Sequence, residues 1–223
     1  MNQETRESLE KVRMSVRAVV ETTLHESDLM PASSSAVRMQ EGAIAHRVRQ
    51  ASALEKNYRK EVALSAEYAG EALLLHVTGR ADGIYEDADG LFVIEEIKLG
   101  AENQPLIPAH RAQAAMYGHM LASEEKLNML RLRVLYVDIH ARELAVYEET
   151  KTDNELKAEF DFLCAAAYAW EEKKLMRRIA RDQSLSSLAF PFDRYREGQR
   201  KFAANVYIAL RERKRLFAQA PTG

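Results

Sequence analysis

The sequence has little of several features that would fix its class at once. A single cysteine, Cys164, excludes a disulfide within the 223-residue chain. There is no apolar run of about 20 residues, so a membrane-spanning helix is not expected. The first seven residues lack the apolar core of a signal peptide. A large net charge is also absent. The value of −2 does not by itself indicate a nucleic-acid partner. These absences predict a cytoplasmic protein that does not enter membranes.

What is present suffices for a folded domain. Hydrophobic residues make up 47% of the chain, which at this length supports one domain with its own core plus an appendage. Two runs of β-forming residues, Leu73–Tyr85 and Leu91–Ile97, flank Asp89-Gly90. This pattern predicts a β-hairpin. The second run is nearly continuous in apolar residues, which is typical of a central strand covered on both faces.

Charged residues interrupt this hairpin at three informative positions. Alternation along a strand places Glu96 and Lys98 on one face and Glu95 on the other. Asp82 lies on the first strand, and two carboxylates at one locus repel each other unless a divalent cation such as Mg²⁺ binds them. A lysine beside a metal-bound water can orient it, deprotonate it or offset charge on a phosphorane. The residues alone leave open a turn aspartate and an ion pair at a strand end.

A helix is predicted over residues 108–121, after the hairpin. Gln113 and Tyr117 are four residues apart and therefore neighbours on one helix face. They could hydrogen-bond a phosphate, a base or the lysine, or they could be a surface glutamine and a core tyrosine.

A second helix is predicted upstream, over residues 38–50. Gly42 in its interior costs about 1 kcal/mol relative to alanine, which suggests that something approaches it closely. His46, four residues later on the same face, is either a packed or solvated histidine or a metal ligand.

The remaining segments predict further elements around this centre. Residues 9–24 carry apolar residues at helical spacing and predict an amphipathic helix that packs on the core, although Arg17 could instead contact DNA. Residues 59–66 predict the first strand, and residues 131–139 and 143–148 a late hairpin. A long helix over residues 153–181 ends in basic residues that form either a solvated face or a track for a DNA backbone: Lys173, Lys174, Arg177, Arg178 and Arg181.

Four residue pairs occur in one order along the chain: Gly42 with His46, Gly79 with Asp82, Glu96 with Lys98, and Gln113 with Tyr117. Together they resemble the PD-(D/E)XK nuclease superfamily and, within it, the RecB-like group. The resemblance covers roughly residues 38–120. It implies a mixed α/β (α+β) fold with a restriction-endonuclease-like core, in which helices flank a small mixed β-sheet.

The resemblance also implies a role for each residue. Asp82 and Glu96 would be metal ligands for Mg²⁺ or Mn²⁺, with the Ile97 carbonyl as a third ligand. His46 would be a further ligand that favours Mn²⁺. Lys98 would act on the attacking water, and two side chains would position DNA or the catalytic groups: Gln113 and Tyr117. Several RecB-like nucleases carry an iron–sulfur cluster held by four cysteines, and with one cysteine this chain cannot form it.

The tail carries a second resemblance. After a linker at Ser184–Ala189 come Arg196 and Gln199, a helix to about Arg213, a short apolar strand around residues 215–217, and finally Ala220-Pro221-Thr222-Gly223. This order resembles the start of DinG-like and XPD-like superfamily 2 DNA helicases, although an ordinary C-terminal helix would look similar. It predicts a nuclease domain over residues 1–183 and the beginning of a helicase domain over residues 184–223. No ATPase activity is expected, because the loop lacks its lysine.

Together these observations predict a metal-dependent deoxyribonuclease that hydrolyses single-stranded DNA or DNA ends. Its partner would be a helicase domain in the same chain, with an exonuclease role in DNA repair or processing. The alternative is a catalytically silent DNA-binding or loading module of that helicase. A third reading is a regulatory protein-interaction domain, which binds neither metal nor DNA.

Overall fold

A mixed sheet of six strands organises the computed structural model, which describes residues 9–24, 35–189 and 191–219. The chain divides into two compact units, Met1–Met176 and Arg177–Gly223. The helices and strands follow in chain order: β1 Glu10–Ser15, α1 Val16–Thr23, α2 Ser35–Ser52, β2 Lys56–Ala69, β3 Leu73–Glu86, β4 Phe92–Leu99, α3 Pro108–Glu125, β5 Met129–Val137, β6 Glu143–Thr152, α4 Asp153–Ser186 and α5 Gln199–Arg211. This is the mixed α/β fold that the resemblance implied.

Strand β3 is the centre of the sheet's topology. One of its edges pairs antiparallel with β2. The other edge pairs in parallel with β1 over Leu73–Thr78 and antiparallel with β4 over Gly83–Glu86. β4 continues in parallel with β5, and β5 pairs antiparallel with β6.

A gap opens where this edge of β3 changes partner. Pairing with β1 ends at Thr78 and pairing with β4 begins at Gly83, so that no described strand pairs with residues 79–82 on that side. β4 separates from β3 after Glu95 and continues beside β5 instead. The gap therefore lies between two strands of one sheet.

The two faces of the sheet are covered unequally. The larger core contains buried side chains of α1, α3 and the first half of α4, including Val16, Met116 and Phe160. On the opposite face, Ala45 of α2 packs against a smaller group that includes Ile97. β4 is covered on both sides, as its apolar sequence predicted.

Helix α3 is defined at both ends by backbone chemistry. Pro108 occupies its first turn, where the missing N–H is not needed. Lys126 adopts the left-handed conformation just after its last residue and ends it. Several side chains between these ends are small, and a Cβ on Gly118 would lie 2.9 Å from Leu132. The helix thus lies close against the sheet.

Several sequence predictions are confirmed, and others are wrong in detail. Both hairpins form, and the helices around residues 108–121 and 38–50 are present. Residues 9–24 are not one helix: β1 and α1 share them, and β1 precedes the strand that includes residues 59–66, which is therefore the second. The long helix extends to Ser186, so that it includes part of the predicted linker. The sequence also predicts a loop over residues 30–35 that ends in helix-capping serines, and residues 30–34 of it lie outside the described residues.

The second unit holds the end of α4 and helix α5. Gly198, with φ of 80°, precedes α5, which buries none of its residues. Residues 214–219 form no regular structure, so the strand predicted around 215–217 is wrong. Ala220 to Gly223 lie outside the described residues. Within the part of the chain that the structure describes, no helix combines the length and apolar character needed to cross a bilayer.

A buried ion pair joins helix α2 to strand β4. Glu95, which points away from Glu96 as alternation predicted, is fully buried and accepts from Arg49 at 2.8 Å and from the Tyr58 hydroxyl at 3.0 Å. Arg49 also pairs with Glu55. Burial alone would lower the pKa of Arg49, but its hydrogen bonds and charge interactions with the two glutamates raise it.

We expect Arg49→Met to destabilise the fold by about 3–5 kcal/mol, because it removes the closer of the two arginines beside the buried Glu95 and leaves Arg133 Nε, at 3.7 Å, as the remaining cation. The measurement is the free energy of unfolding in urea. Arg17→Met is the control, because Arg17 forms an exposed pair with Glu21 and should contribute at most about 1 kcal/mol. Equal effects of the two substitutions would contradict the assigned role of the buried pair.

Candidate functional site

Asp82 lies at the end of the gap in β3, with its two carboxylate oxygens in different directions. Oδ2 accepts a hydrogen bond of 2.7 Å from the Ile97 backbone N–H. Oδ1 lies 3.4 Å from His46 Nδ1. The N–H and C=O of one strand residue lie on the same edge, so the Ile97 carbonyl also faces the gap.

Glu96 and Lys98 lie on the face of β4 opposite to the one that bears the Ile97 side chain, and they form a close ion pair. Lys98 Nζ lies 2.6 Å from Glu96 Oε1. Glu96 is only 3% exposed, and its Oε2 has no hydrogen-bond partner among the described residues. Burial, with the nearby charge of Asp82, raises the pKa of Glu96 to about 7 in spite of Lys98. A buried carboxylate with a free oxygen fits a cation ligand.

The carboxylates of the site favour the charged forms of its two basic groups, Lys98 and His46. Burial lowers the pKa of Lys98, but the charges of Glu96 and Asp82 outweigh it and raise the pKa. His46 behaves alike: burial lowers its pKa, and the hydrogen bond and charge of Asp82 raise it above the usual value. Neutralising the carboxylates would therefore favour the neutral forms of both bases.

Glu61 is a site residue that sequence reasoning missed. It lies on β2 directly across from Asp82, between the register pairs Lys60–Gly83 and Val62–Ala81. Its φ of 52° is unusual for a residue within a strand. His46, Glu61 and Asp82 each offer a ligand atom within 4.8 Å of the others. No motif marks Glu61, and the only sequence signal was its place on the strand that pairs with Asp82.

Tyr117, from the pair Gln113–Tyr117, packs against Gly79, from the pair Gly79–Asp82. A Cβ on Gly79 would lie 2.7 Å from the Tyr117 ring and hydroxyl, so glycine is required where the ring crosses β3. Tyr117 is 8% exposed, and burial, followed by the charges of Glu96 and Asp82, raises its pKa. Gln113 lies on the same helix face but makes no hydrogen bond to any described residue. Gly42 has open space around its Cβ position, so the close packing expected there is wrong.

His110 was also missed, although it lies three residues before Gln113 on the same face of α3. Its Nδ1 lies 3.0 Å from the Tyr136 hydroxyl, which accepts from the Ile107 N–H at 2.9 Å. Tyr136 pairs in register with Lys98 on the neighbouring strand. Burial and the Lys98 charge lower the pKa of His110 to about 4, so that it is neutral at neutral pH.

The residues of the gap fit a divalent cation. Carboxylates of Asp82 and Glu96, the Ile97 carbonyl and the His46 imidazole are ligand types used for Mg²⁺ and Mn²⁺. The free Oε2 of Glu96 is a donor atom that no side chain of the described residues satisfies. A bound cation would offset both the burial and the repulsion from Asp82 that raise the pKa of Glu96.

We expect the raised pKa of Glu96 to appear in the pH dependence of stability without metal. A carboxyl whose folded pKa is about 7 against an ordinary 4.5 stabilises the fold below pH 4.5, and this is lost as pH rises through 7. In the presence of a chelator, the unfolding free energy of wild type minus that of Glu96→Gln should fall as the pH rises from about 4.5 through about 7.

The raised pKa of His46 acts in the same direction and the lowered pKa of His110 in the opposite one, and both residues are present in the two proteins. The difference between the proteins therefore reports the titration of Glu96 together with the change that its charge makes to the pKa of His46. Parallel stability curves would show that Glu96 ionises normally.

Comparison with known proteins places the sequence in a family. A solved structure described as "Crystal structure of SSO0001" is 18% identical, with a TM-score of 0.46, over 70% of this chain and 75% of that chain. That likeness is too distant to support an argument. No curated protein matches the sequence. The sequence matches the PD-(D/E)XK nuclease superfamily over residues 2–210, most of its length, and the chain therefore belongs to this superfamily of nucleases.

Proposed function

We propose that the chain is a Mg²⁺- or Mn²⁺-dependent deoxyribonuclease of the RecB-like type, acting on single-stranded DNA or DNA ends. The observation that carries this proposal is the arrangement in the gap of β3. Asp82 and Glu96 lie there beside the Ile97 carbonyl, and Lys98 is in contact with Glu96. A bound cation would supply an activated water and offset charge that develops on the phosphate.

Lys98 is the proposed catalytic base or water-orienting group. Its charge is maintained by Glu96 and Asp82, the same carboxylates that would be ligands of the cation. Once these carboxylates are neutralised, the cause of the raised Lys98 pKa is removed and the amine can accept a proton more readily. The ion pair between Lys98 and Glu96 thus supports a base that becomes available once a cation is bound.

The surface beside the gap offers cations for a phosphate backbone. Arg17 follows β1 at the start of α1, with a side chain 76% exposed, and it is near enough to contribute to the pKa of Lys98. Arg80, next to Gly79 on β3, is 69% exposed. We assign both to DNA phosphate contacts, which a chain with a net charge of −2 must supply locally.

The test is cleavage of labelled single-stranded DNA with Mg²⁺ or Mn²⁺. Asp82→Asn and Lys98→Met should each reduce the rate about 10²–10⁴-fold, because a ligand or the proton acceptor is lost. Lys56→Met is the matched control, since Lys56 forms a surface pair with Glu86 and should leave the rate unchanged.

Equal cleavage by wild type and both site variants would overturn the proposal. A wild type that binds DNA but cleaves none under any divalent cation would support the silent DNA-binding module instead. The two outcomes are separated by measuring DNA binding and cleavage on the same preparation.

The tail belongs to the same proposal as the start of a DinG-like or XPD-like helicase domain over residues 184–223. The order of Arg196, Gln199 and helix α5 supports it. So does the exposure of apolar side chains on α5, where Phe202 is 52%, Tyr207 65% and Leu210 73% exposed. Such side chains are typical of a helix that packs against further structure.

We expect the native protein to be much larger than these 223 residues and to hydrolyse ATP in a DNA-stimulated manner. Immunodetection of the protein in its source cells measures its size, and an ATPase assay of the purified native protein measures the activity. A native protein of the size of this chain would overturn the helicase assignment.

A further inference from the structure

An open groove lies between helices α1 and α4, and none of the candidate cation ligands lines it. Its volume is about 500 Å³, and its lining is mostly apolar: Thr22, Ala166, Ala169, Trp170 and Lys173. Trp170 is the single tryptophan of the chain, and more than half of its surface is exposed. A groove of this size can hold one planar ring system, and an indole offers such a ring a flat apolar surface.

The spacing of residues on α4 explains why the groove is open. Ala166 and Trp170 are four residues apart, as are Ala169 and Lys173, so the four side chains belong to one face of the helix. The two alanines are short, and the space beside the indole and the ammonium group is therefore left unfilled. An aromatic ring and a cation thus border the same open space.

Lys173 gives this face a positive charge that no carboxylate of the described residues neutralises. The two preceding glutamates are engaged elsewhere. Glu171 pairs with Lys174 at 2.8 Å, and Glu172 accepts a hydrogen bond of 3.2 Å from the Tyr168 hydroxyl. An exposed aromatic ring beside an unpaired cation is the combination that binds single-stranded nucleic acid, because the ring stacks on a base and the cation attracts a phosphate.

Helix α1 connects the gap in β3 to this groove. It begins where the pairing of β1 with β3 ends, and its Arg17 is near enough to Lys98 to contribute to the pKa of that amine. At its other end, the Thr23 hydroxyl donates to the Leu163 carbonyl of α4 at 3.0 Å, and Thr22 lines the groove. Arg17 and Thr22 are five residues apart, which is about 7.5 Å along a helix axis. A strand that contacts Arg17 can therefore reach the groove within a few nucleotides.

We propose that this groove holds one base of a single-stranded DNA substrate, stacked on Trp170, with Lys173 at a neighbouring phosphate. The inference rests on the proposed function for the identity of the substrate, and it deepens that function by naming residues that select unpaired strands. A base within a duplex is stacked between its neighbours and cannot offer its face to a side chain unless it leaves the stack. Duplex DNA therefore does not fill the groove.

The test uses the fluorescence of Trp170, which reports on this position alone because the chain has no other tryptophan. The whole chain is titrated with an oligothymidylate in chelator, and again with Ca²⁺, which offsets the carboxylate charges of the gap. The anisotropy of a labelled strand gives the affinity independently. Binding of the strand should quench the emission of Trp170, whereas a duplex of equal length should leave the emission unchanged.

Substitutions separate stacking from simple apolar contact. Trp170→Leu should weaken binding of the strand about 5–100-fold, and Trp170→Phe should retain most of the affinity, because stacking needs an aromatic face. Lys173→Met should weaken binding and lower its dependence on salt by about one released counterion. The controls are Phe162→Leu, an exposed ring on α4 that does not line the groove, and Lys157→Met, whose ammonium pairs with Asp161. Both controls should bind as wild type does.

Thermal melting verifies that each variant is folded. A strand that does not bind, or that binds without changing the emission of Trp170, would overturn the inference, as would equal affinities of wild type and Trp170→Leu. Emission that changes with protein concentration but not with DNA would overturn it in favour of an interface between copies of this chain.

The result does not depend on cleavage. A chain that cleaves DNA while Trp170 emission stays constant refutes the inference and leaves the proposed nuclease intact. A chain that binds the strand with quenching but cleaves none under any divalent cation refutes the nuclease and leaves the groove intact.

Discussion

Repulsion between carboxylates in a confined gap is the constraint on which the site depends. Asp82, Glu96 and Glu61 are fixed by three different strands, and Glu96 cannot turn to solvent because it is almost fully buried. The protein partly balances these charges with Lys98 and His46 and with the Ile97 N–H. The balance is incomplete: burial and the charge of Asp82 raise the pKa of Glu96, and its Oε2 has no hydrogen-bond partner among the described residues. The gap is in this sense prepared for a cation before one arrives.

The parts of the fold that the sequence predicts well are those set by local chemistry. Asp89-Gly90 between two β-forming runs specifies the hairpin, and Gly90 has the positive φ of 78° that the turn needs. The alternation of side chains on β4 correctly predicts that Glu95 and Glu96 lie on opposite faces, because neighbouring residues of a strand point to opposite sides of the sheet. Family membership, too, was accessible from spaced residue pairs.

The predictions that fail depend on contacts between distant segments. The apolar residues Val12 and Val16 are four apart, a spacing that fits strand alternation as well as a helix turn, so β1 was taken for part of a helix. Glu61 carries no motif, and its role depends on strand register and an unusual backbone angle. The absence of close packing at Gly42 is likewise invisible without coordinates.

The parallel pairing of β1 with β3 has a consequence for how the site forms. β1 ends at Ser15 beside Thr78, and the next residues begin the helix that carries Arg17. Closing this pairing requires a loop of roughly 60 residues, an entropic cost that local hairpins do not bear. The hairpin with Asp82 and Glu96 can therefore form early, while the wall of the gap that bears Arg17 is added late. The proposed cation ligands on the hairpin and the proposed phosphate contact at Arg17 thus depend on different stages of folding.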